Sequence, residues 1–142
     1  MTAIDRVLVA FDGTPLSEEA LEHALEVYPD AEVIVLHVID YVEESYTARA
    51  PVGDETVRER ARRRSEGLLD DAEAIAAEHN RSVTTTSRVG KATDEILAQA
   101  EADDADIIVI GSHGRRRLSE ILLGSVAETV QRRASVPVTV VR

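Results

Sequence analysis

The sequence predicts an α/β fold: a single domain spanning residues 1–142, with a parallel β-sheet between two helical layers, a three-layer α/β/α sandwich. Three observations carry this. The β-rich runs are apolar at consecutive positions rather than alternating, as in strands buried on both faces. Segments with apolar residues at helical spacing separate those runs. The resulting order, β-α-β-α-β-α-β-α-β, requires right-handed crossovers between parallel strands.

The first strand is Arg6 to Phe11, closed by Asp12-Gly13. Ser17 to Tyr28 follows as a helix, with Leu16, Ala20, Leu21, Ala24, Leu25 and Tyr28 in phase. Ser17 ahead of Glu18 and Glu19 suits a capped start, and Pro29-Asp30 stops the helix. Glu32 to Ile39 is the second strand, and His37 within it is expected to make a local hydrogen bond. Asp40 to Asp54 reads as a long irregular connection containing Pro51 and Gly53. Thr56 to His79 is a charged helix with Val57, Ala61, Leu68, Ala72 and Ile75 on one face. Gly67 weakens its middle, where a kink or break is expected, and Asn80 suits its C-terminal cap. Ser82 to Val89 is a threonine-rich strand nearer a sheet edge, and Gly90 turns the chain. Thr93 opens a short helix with Ile96, Leu97 and Ala100 inward. Asp106 to Ser112 is the fourth strand, Ser125 to Ala134 the last helix, and Val138 to Val141 the terminal strand after Pro137.

A chain of this length buries about 68–70% of its unfolded surface, enough for a core without staples. There are no cysteines, so disulfides and thiolate metal sites are excluded. The N-terminus lacks the apolar run of a secretion signal, and no run is long enough to cross a membrane; the expected location is the cytoplasm. Lys+Arg is 16 against 27 Asp+Glu, a net charge of −11, which repels nucleic-acid backbones and anionic membranes. Lys91 is the one lysine. Such an acidic, lysine-poor surface is halophile-like, since molar salt screens self-repulsion. A GC-rich genome favouring Arg, Ala and Asp codons is the alternative cause.

The richest feature for function is Gly111, Gly114, Gly124 and Ser125, in the pattern Gly-x2-Gly-x9-Gly-Ser after Ile107-Ile108-Val109-Ile110. Glycines let backbone N–H groups approach an anion, and a helix opening at Ser125 offers unpaired amides and a positive dipole end. Ligands of open α/β sheets sit beyond the carboxyl ends of strands. If strands one and four are neighbours, the Asp12-Gly13-Thr14 and Gly111-to-Gly114 turns open into one crevice. Asp12 would then accept hydrogen bonds from a ribose or base while the glycine loop takes phosphate. An ordinary turn at Asp12-Gly13 and close packing at Gly124 are the competing readings.

Arg115, Arg116 and Arg117 between the glycines suit phosphate pairing, although such a run is more often solvated surface. His113 is read as a satisfied loop histidine rather than a phosphate contact, and His23 and His79 have no partner at ligand spacing, so no metal site is expected. Gly-x4-Gly-Lys-Ser/Thr and Gly-x-Gly-x-x-Gly are both missing, which argues against a P-loop ATPase and a plain dinucleotide enzyme. Phe11-Asp12-Gly13-Thr14 has part of the opening motif of haloacid-dehalogenase-like phosphatases, but Ala10 stands where their nucleophile would be.

At these residues the chain resembles the universal stress protein family over essentially its full length. The likeness rests on Val9 to Thr14 with Ser17, Ala20 and Leu21 behind it, on Val89-Gly90, on Asp106 to Gly114, on Leu122 to Glu128 and on Val136 to Val141. It implies a five-stranded sheet of order 3-2-1-4-5 and a homodimer through the strand Val138 to Val141. The family divides into ATP binders and non-binders, and the resemblance to the binders, which carry Gly-x2-Gly-x9-Gly-Ser/Thr, implies ATP as ligand; the cofactor expected is ATP, with or without Mg²⁺. Asp12 and Val38 would hold the adenosine end, Gly111 and Gly114 the ribose and phosphate path, and Gly124, Ser125 and Val126 the outer phosphates. Arg116-Arg117 and the 41–54 segment depart from the family pattern.

The sequence thus favours a non-catalytic, ATP-binding homodimeric regulator of stress response, with no nucleic-acid or membrane partner. The alternatives are a weak Mg²⁺-dependent ATP hydrolase or phosphotransferase, with Asp12 or His113 orienting water, and a structural dimer without ligand.

Overall fold

The structure is a computed structural model that describes residues 3–114 and 123–142. Its strands are β1 (Arg6–Ala10), β2 (Glu32–Ile39), β3 (Thr84–Val89), β4 (Ile107–Gly111) and β5 (Val138–Val141). They form one parallel sheet of order β3-β2-β1-β4-β5. The register aligns Leu8 with Ile34 on one side and Ile108 on the other, and Ile108 in turn with Val138.

Five helices connect the strands: α1 (Pro15–Val27), α2 (Tyr41–Ala48), α3 (Glu55–Glu78), α4 (Ala92–Ala102) and α5 (Ser125–Arg133). The uninterrupted apolar runs now have their cause, because successive side chains of a strand point to opposite faces. Val7, Val9, Val33, Val35 and Val109 pack with Ala20, Leu21, Ala24 and Leu25 of α1 and Ala72 and Ala76 of α3. Leu8, Ile34, Leu36, Ile108 and Ile110 pack on the other face with Ile96 and Ala100 of α4 and Ala127 and Val130 of α5. Each fully buried valine, leucine or isoleucine contributes about 1.5–3 kcal/mol.

Several local expectations are corrected. The 40–54 segment is not irregular throughout, because Asp40 accepts the Glu43 N–H at 3.1 Å and starts α2. α3 runs through Gly67 without a break; a Cβ there would meet nothing within 4 Å, so only intrinsic propensity is lost. Thr14 rather than Ser17 caps α1, with Pro15 in its first turn. α4 begins at Ala92, one residue before Thr93.

The end of α3 is a Schellman motif. His79 is the cap, Asn80 takes a left-handed φ of 56°, and the N–H groups of Asn80 and Arg81 return to the carbonyls of Ala77 and Ala76. That geometry aims Arg81 back at the end of α1, where its guanidinium donates to the carbonyls of Leu25 (2.8 Å), Tyr28 (3.3 Å) and Ala31 (2.7 Å).

Candidate functional site

The site forms at the carboxyl ends of β1 and β4, which are adjacent strands. After β1 the chain turns at Gly13, whose φ is +80°. The Asp12 Oδ1 atom accepts from the Thr14 N–H at 3.0 Å and from the Thr14 hydroxyl. Ser17 Oγ accepts the Asp12 N–H at 3.3 Å and donates to the Thr14 carbonyl at 2.9 Å. One carboxylate oxygen is thus tied down by the turn. The other faces the glycine loop, because a Cβ built on Gly114 would lie 3.0 Å from Asp12 Oδ2. The two turns, about a hundred positions apart in the chain, meet there.

The glycines of the loop allow close approach. A Cβ on Gly111 would sit 3.0 Å from Leu16 Cβ, so this glycine lets β4 end against the first turn of α1. Gly124 is tighter: its N–H donates to the Ser112 carbonyl at 2.7 Å, and a Cβ there would lie 2.8 Å from the same oxygen. The Gly124 amide is therefore engaged within the protein. Gly124 is also the N-cap of α5, has no side chain to satisfy the helix, and gives its carbonyl to Glu128 as the helix's first backbone bond. The N–H groups of Ser125, Val126 and Ala127 precede that bond and form the helix's uncapped positive end.

A cavity of about 340 Å³ lies between these elements, within the range of small-molecule sites. All seven residues singled out from the sequence line it: Asp12, Val38, Gly111, Gly114, Gly124, Ser125 and Val126. Arg115, Arg116, Arg117 and Leu122 lie outside the described residues.

Sequence reasoning missed other parts of the wall. Asp40, Glu43 and Glu44 bring α2 to the cavity, and Ile96 adds an apolar contact from α4. The Asp40-x-x-Glu43 spacing resembles a capping box and is the signal that marks this helix. Two contacts strap α2 to α3: Arg64 Nη1 lies 3.1 Å from Glu44 Oε1, and the Arg58 guanidinium sits 4.6 Å from the Tyr41 ring centre. His37 also lines the cavity, and its Nδ1 meets Ser65 Oγ of α3 at 2.7 Å, a long-range contact rather than the local one expected. His113 differs from its expectation too. Its Nδ1 meets Ser112 Oγ at 3.1 Å, but its buried Nε2 has no hydrogen-bond partner among the described residues.

A doubly wound sheet with a glycine-lined cavity and an open helix end at its strand crossover defines a class of α/β proteins whose layout places ligand sites at that position. Residues 3–142 match the family model described as the Universal stress protein family, and the chain belongs to that family. It is 34% identical over 139 residues to Universal stress protein MJ0531 of Methanocaldococcus jannaschii, covering 96% of this chain and 81% of that protein. The solved structure of MJ0577 superposes with a TM-score of 0.80 at 34% identity, over 99% of this chain and 96% of that one. The fold is shared with a universal stress protein in complex with cAMP (TM-score 0.73, 23% identity, 99% of both chains). It is shared as well with an Arabidopsis thaliana family member with AMP bound (TM-score 0.69, 18% identity, 96% and 90% of the chains).

Proposed function

We propose that this protein is a nucleotide-binding regulator of stress response that takes ATP in the cavity at the ends of β1 and β4. The observation that carries this reading is that seven residues from four separate segments converge on one cavity. Family members solved with cAMP and AMP make a nucleotide the ligand class to test first.

In this reading the half-buried Val38 at the end of β2 flanks the base, and Asp12 Oδ2 accepts a ribose hydroxyl. Gly111 and Gly114 keep the phosphate path free of side chains. The outer phosphates lie on the Ser125 hydroxyl and the amides of Ser125 and Val126, extended to Ala127. Gly124 serves by close approach, since its own N–H is already bonded. Four carboxylates, of Asp12, Asp40, Glu43 and Glu44, line the cavity, and among the described lining residues there is no lysine or arginine. In this reading Mg²⁺ accompanies the triphosphate and offsets part of the phosphates' own charge.

The proposal extends to a homodimer through Val138 to Val141. β5 closes one end of the sheet order with β4 as its sheet neighbour, and an apolar strand at an edge is stabilised by pairing with its copy. Sedimentation equilibrium checks that assembly.

Calorimetric titration of ATP with Mg²⁺ tests the site. Gly124→Asp places a carboxylate against the Ser112 carbonyl and the phosphate end, and it should weaken binding about a hundredfold or more. Circular dichroism confirms that the variant folds. Equal affinities for the two proteins would remove the cavity from consideration. Phosphate release well above background and lost in Asp12→Ala would move the reading to a hydrolase.

A further inference from the structure

A second constellation lies at the opposite end of the sheet, on the outer surface of the α1–α3 layer. Glu22, Glu26 and His79 each present one ligand atom, and these atoms lie within 4.8 Å of one another. None of the three lines the nucleotide cavity. Glu22 and Glu26 are one helical turn apart on α1, so their carboxylates share a face. His79 is the cap residue of α3, and the Schellman turn that follows it fixes its backbone.

The orientation of the imidazole carries the argument. Its Nδ1 lies 3.1 Å from the Ile75 carbonyl. A carbonyl only accepts, so Nδ1 holds the proton. In the neutral ring Nε2 is then a lone pair, and it points at Glu26 Oε1 from 3.5 Å. A proton on Nε2 closes this contact as an ion pair with Glu26, and a divalent cation can take that proton's place, held by the same lone pair and by the two carboxylates that converge on it. Among the described residues neither glutamate pairs with a lysine or arginine. The nearby guanidinium of Arg81 is engaged by the carbonyls of Leu25, Tyr28 and Ala31.

We infer that Glu22, Glu26 and His79 form a surface site for a first-row divalent transition metal, Zn²⁺ being the probe of choice, which ties α1 to the end of α3. Ligand atoms at the usual ~2.0–2.2 Å from a tetrahedral ion are roughly 3.3–3.5 Å apart, and the Nε2 to Oε1 distance of 3.5 Å already fits. An imidazole with two carboxylates selects zinc-like ions over Mg²⁺ and Ca²⁺, which prefer all-oxygen shells. The bond from Nδ1 to a backbone carbonyl is the outer-shell contact that orients metal-binding histidines. Both glutamates are open to solvent or nearly so, so water completes the shell and the ion has an entry path.

The test uses the full chain, freed of metal by chelation and without nucleotide, so that any Mg²⁺–ATP site stays silent. Zn²⁺ titration by calorimetry should show one saturable site, and thermal unfolding should shift upward with added Zn²⁺. Glu26→Gln and His79→Gln should each weaken that site about tenfold or more, the scale on which even outer-shell partners act. The Glu22→Gln/Glu26→Gln double variant, altered only on an exposed helix face, should remove it. Co²⁺ should give a visible absorption band in the wild type that the double variant lacks. No saturable binding, or binding unchanged in the double variant, overturns the inference and leaves a plain His–Glu ion pair. Neither result depends on ATP binding, so this site and the nucleotide reading stand or fall separately.

Discussion

The two ends of the β-sheet treat the same problem in opposite ways. Every helix and strand end leaves backbone groups without partners. At the amino end the chain satisfies them with its own side chains. Asp106 accepts the N–H groups of Asp5 and Arg6 at 2.8 and 2.9 Å, and Arg81 covers three carbonyls. Around the cavity at the carboxyl end glycines stand instead, and α5 starts without any side-chain cap. One end is sealed by its own residues; at the other, Thr14 and Asp40 cap α1 and α2, while α5 keeps its first amides without a side-chain cap. The difference is made by a few residue types at element boundaries, on a common core.

Variants that unseal the first end or fill the second sharpen that contrast. The largest effect expected is the loss of the proposed ATP binding in Gly124→Asp. Next is Arg81→Ala, which strips a charged donor from three carbonyls and should lower stability by about 2–4 kcal/mol in urea unfolding. ATP affinity should be unchanged in the folded fraction, because Arg81 is remote from the cavity; a coupled loss of affinity would break the separation of the two ends. Thr14→Ala removes the α1 cap and a donor to Asp12, and should cost about 1 kcal/mol.

The smallest effect is a pH dependence. The backbone N–H groups of Arg6, and then of Asp5, hold the Asp106 carboxyl below its ordinary value of 3.8. A depressed folded-state pKa contributes stability that is fully present above the unfolded value and is lost as pH falls through the folded one. The difference in unfolding free energy between wild type and Asp106→Asn should therefore be constant above about pH 5 and shrink in more acidic solution. A difference that grows on acidification would contradict the hydrogen bonds assigned to this carboxylate.

The buried strands were readable because a parallel sheet covered on both faces leaves no polar alternation, as in Val7-Leu8-Val9 and Val33-Ile34-Val35. The glycine spacing was readable because the chain approaches itself closely there: a Cβ at Gly124 would lie 2.8 Å from the Ser112 carbonyl, and one at Gly111 3.0 Å from Leu16. Strand order was not visible in periodicity and came through the family resemblance. α2 was overlooked because its composition is that of a loop, with Ser45 its one buried residue; its cap and its contacts with α3 hold it. Contacts between distant segments, such as His37 with Ser65, leave no mark on local sequence. The meeting of His79 with the α1 glutamates is of the same kind, set by the packing of two helices.

Ser112 is anchored on both sides: its N–H donates to the Val141 carbonyl at 2.7 Å and its C=O accepts the Gly124 N–H at 2.7 Å. A single amino acid thereby splices the border strand to the mouth of the last helix. Neither can slide against the other without breaking one of two short bonds. Any load placed on that helix mouth is passed directly to the rim of the sheet.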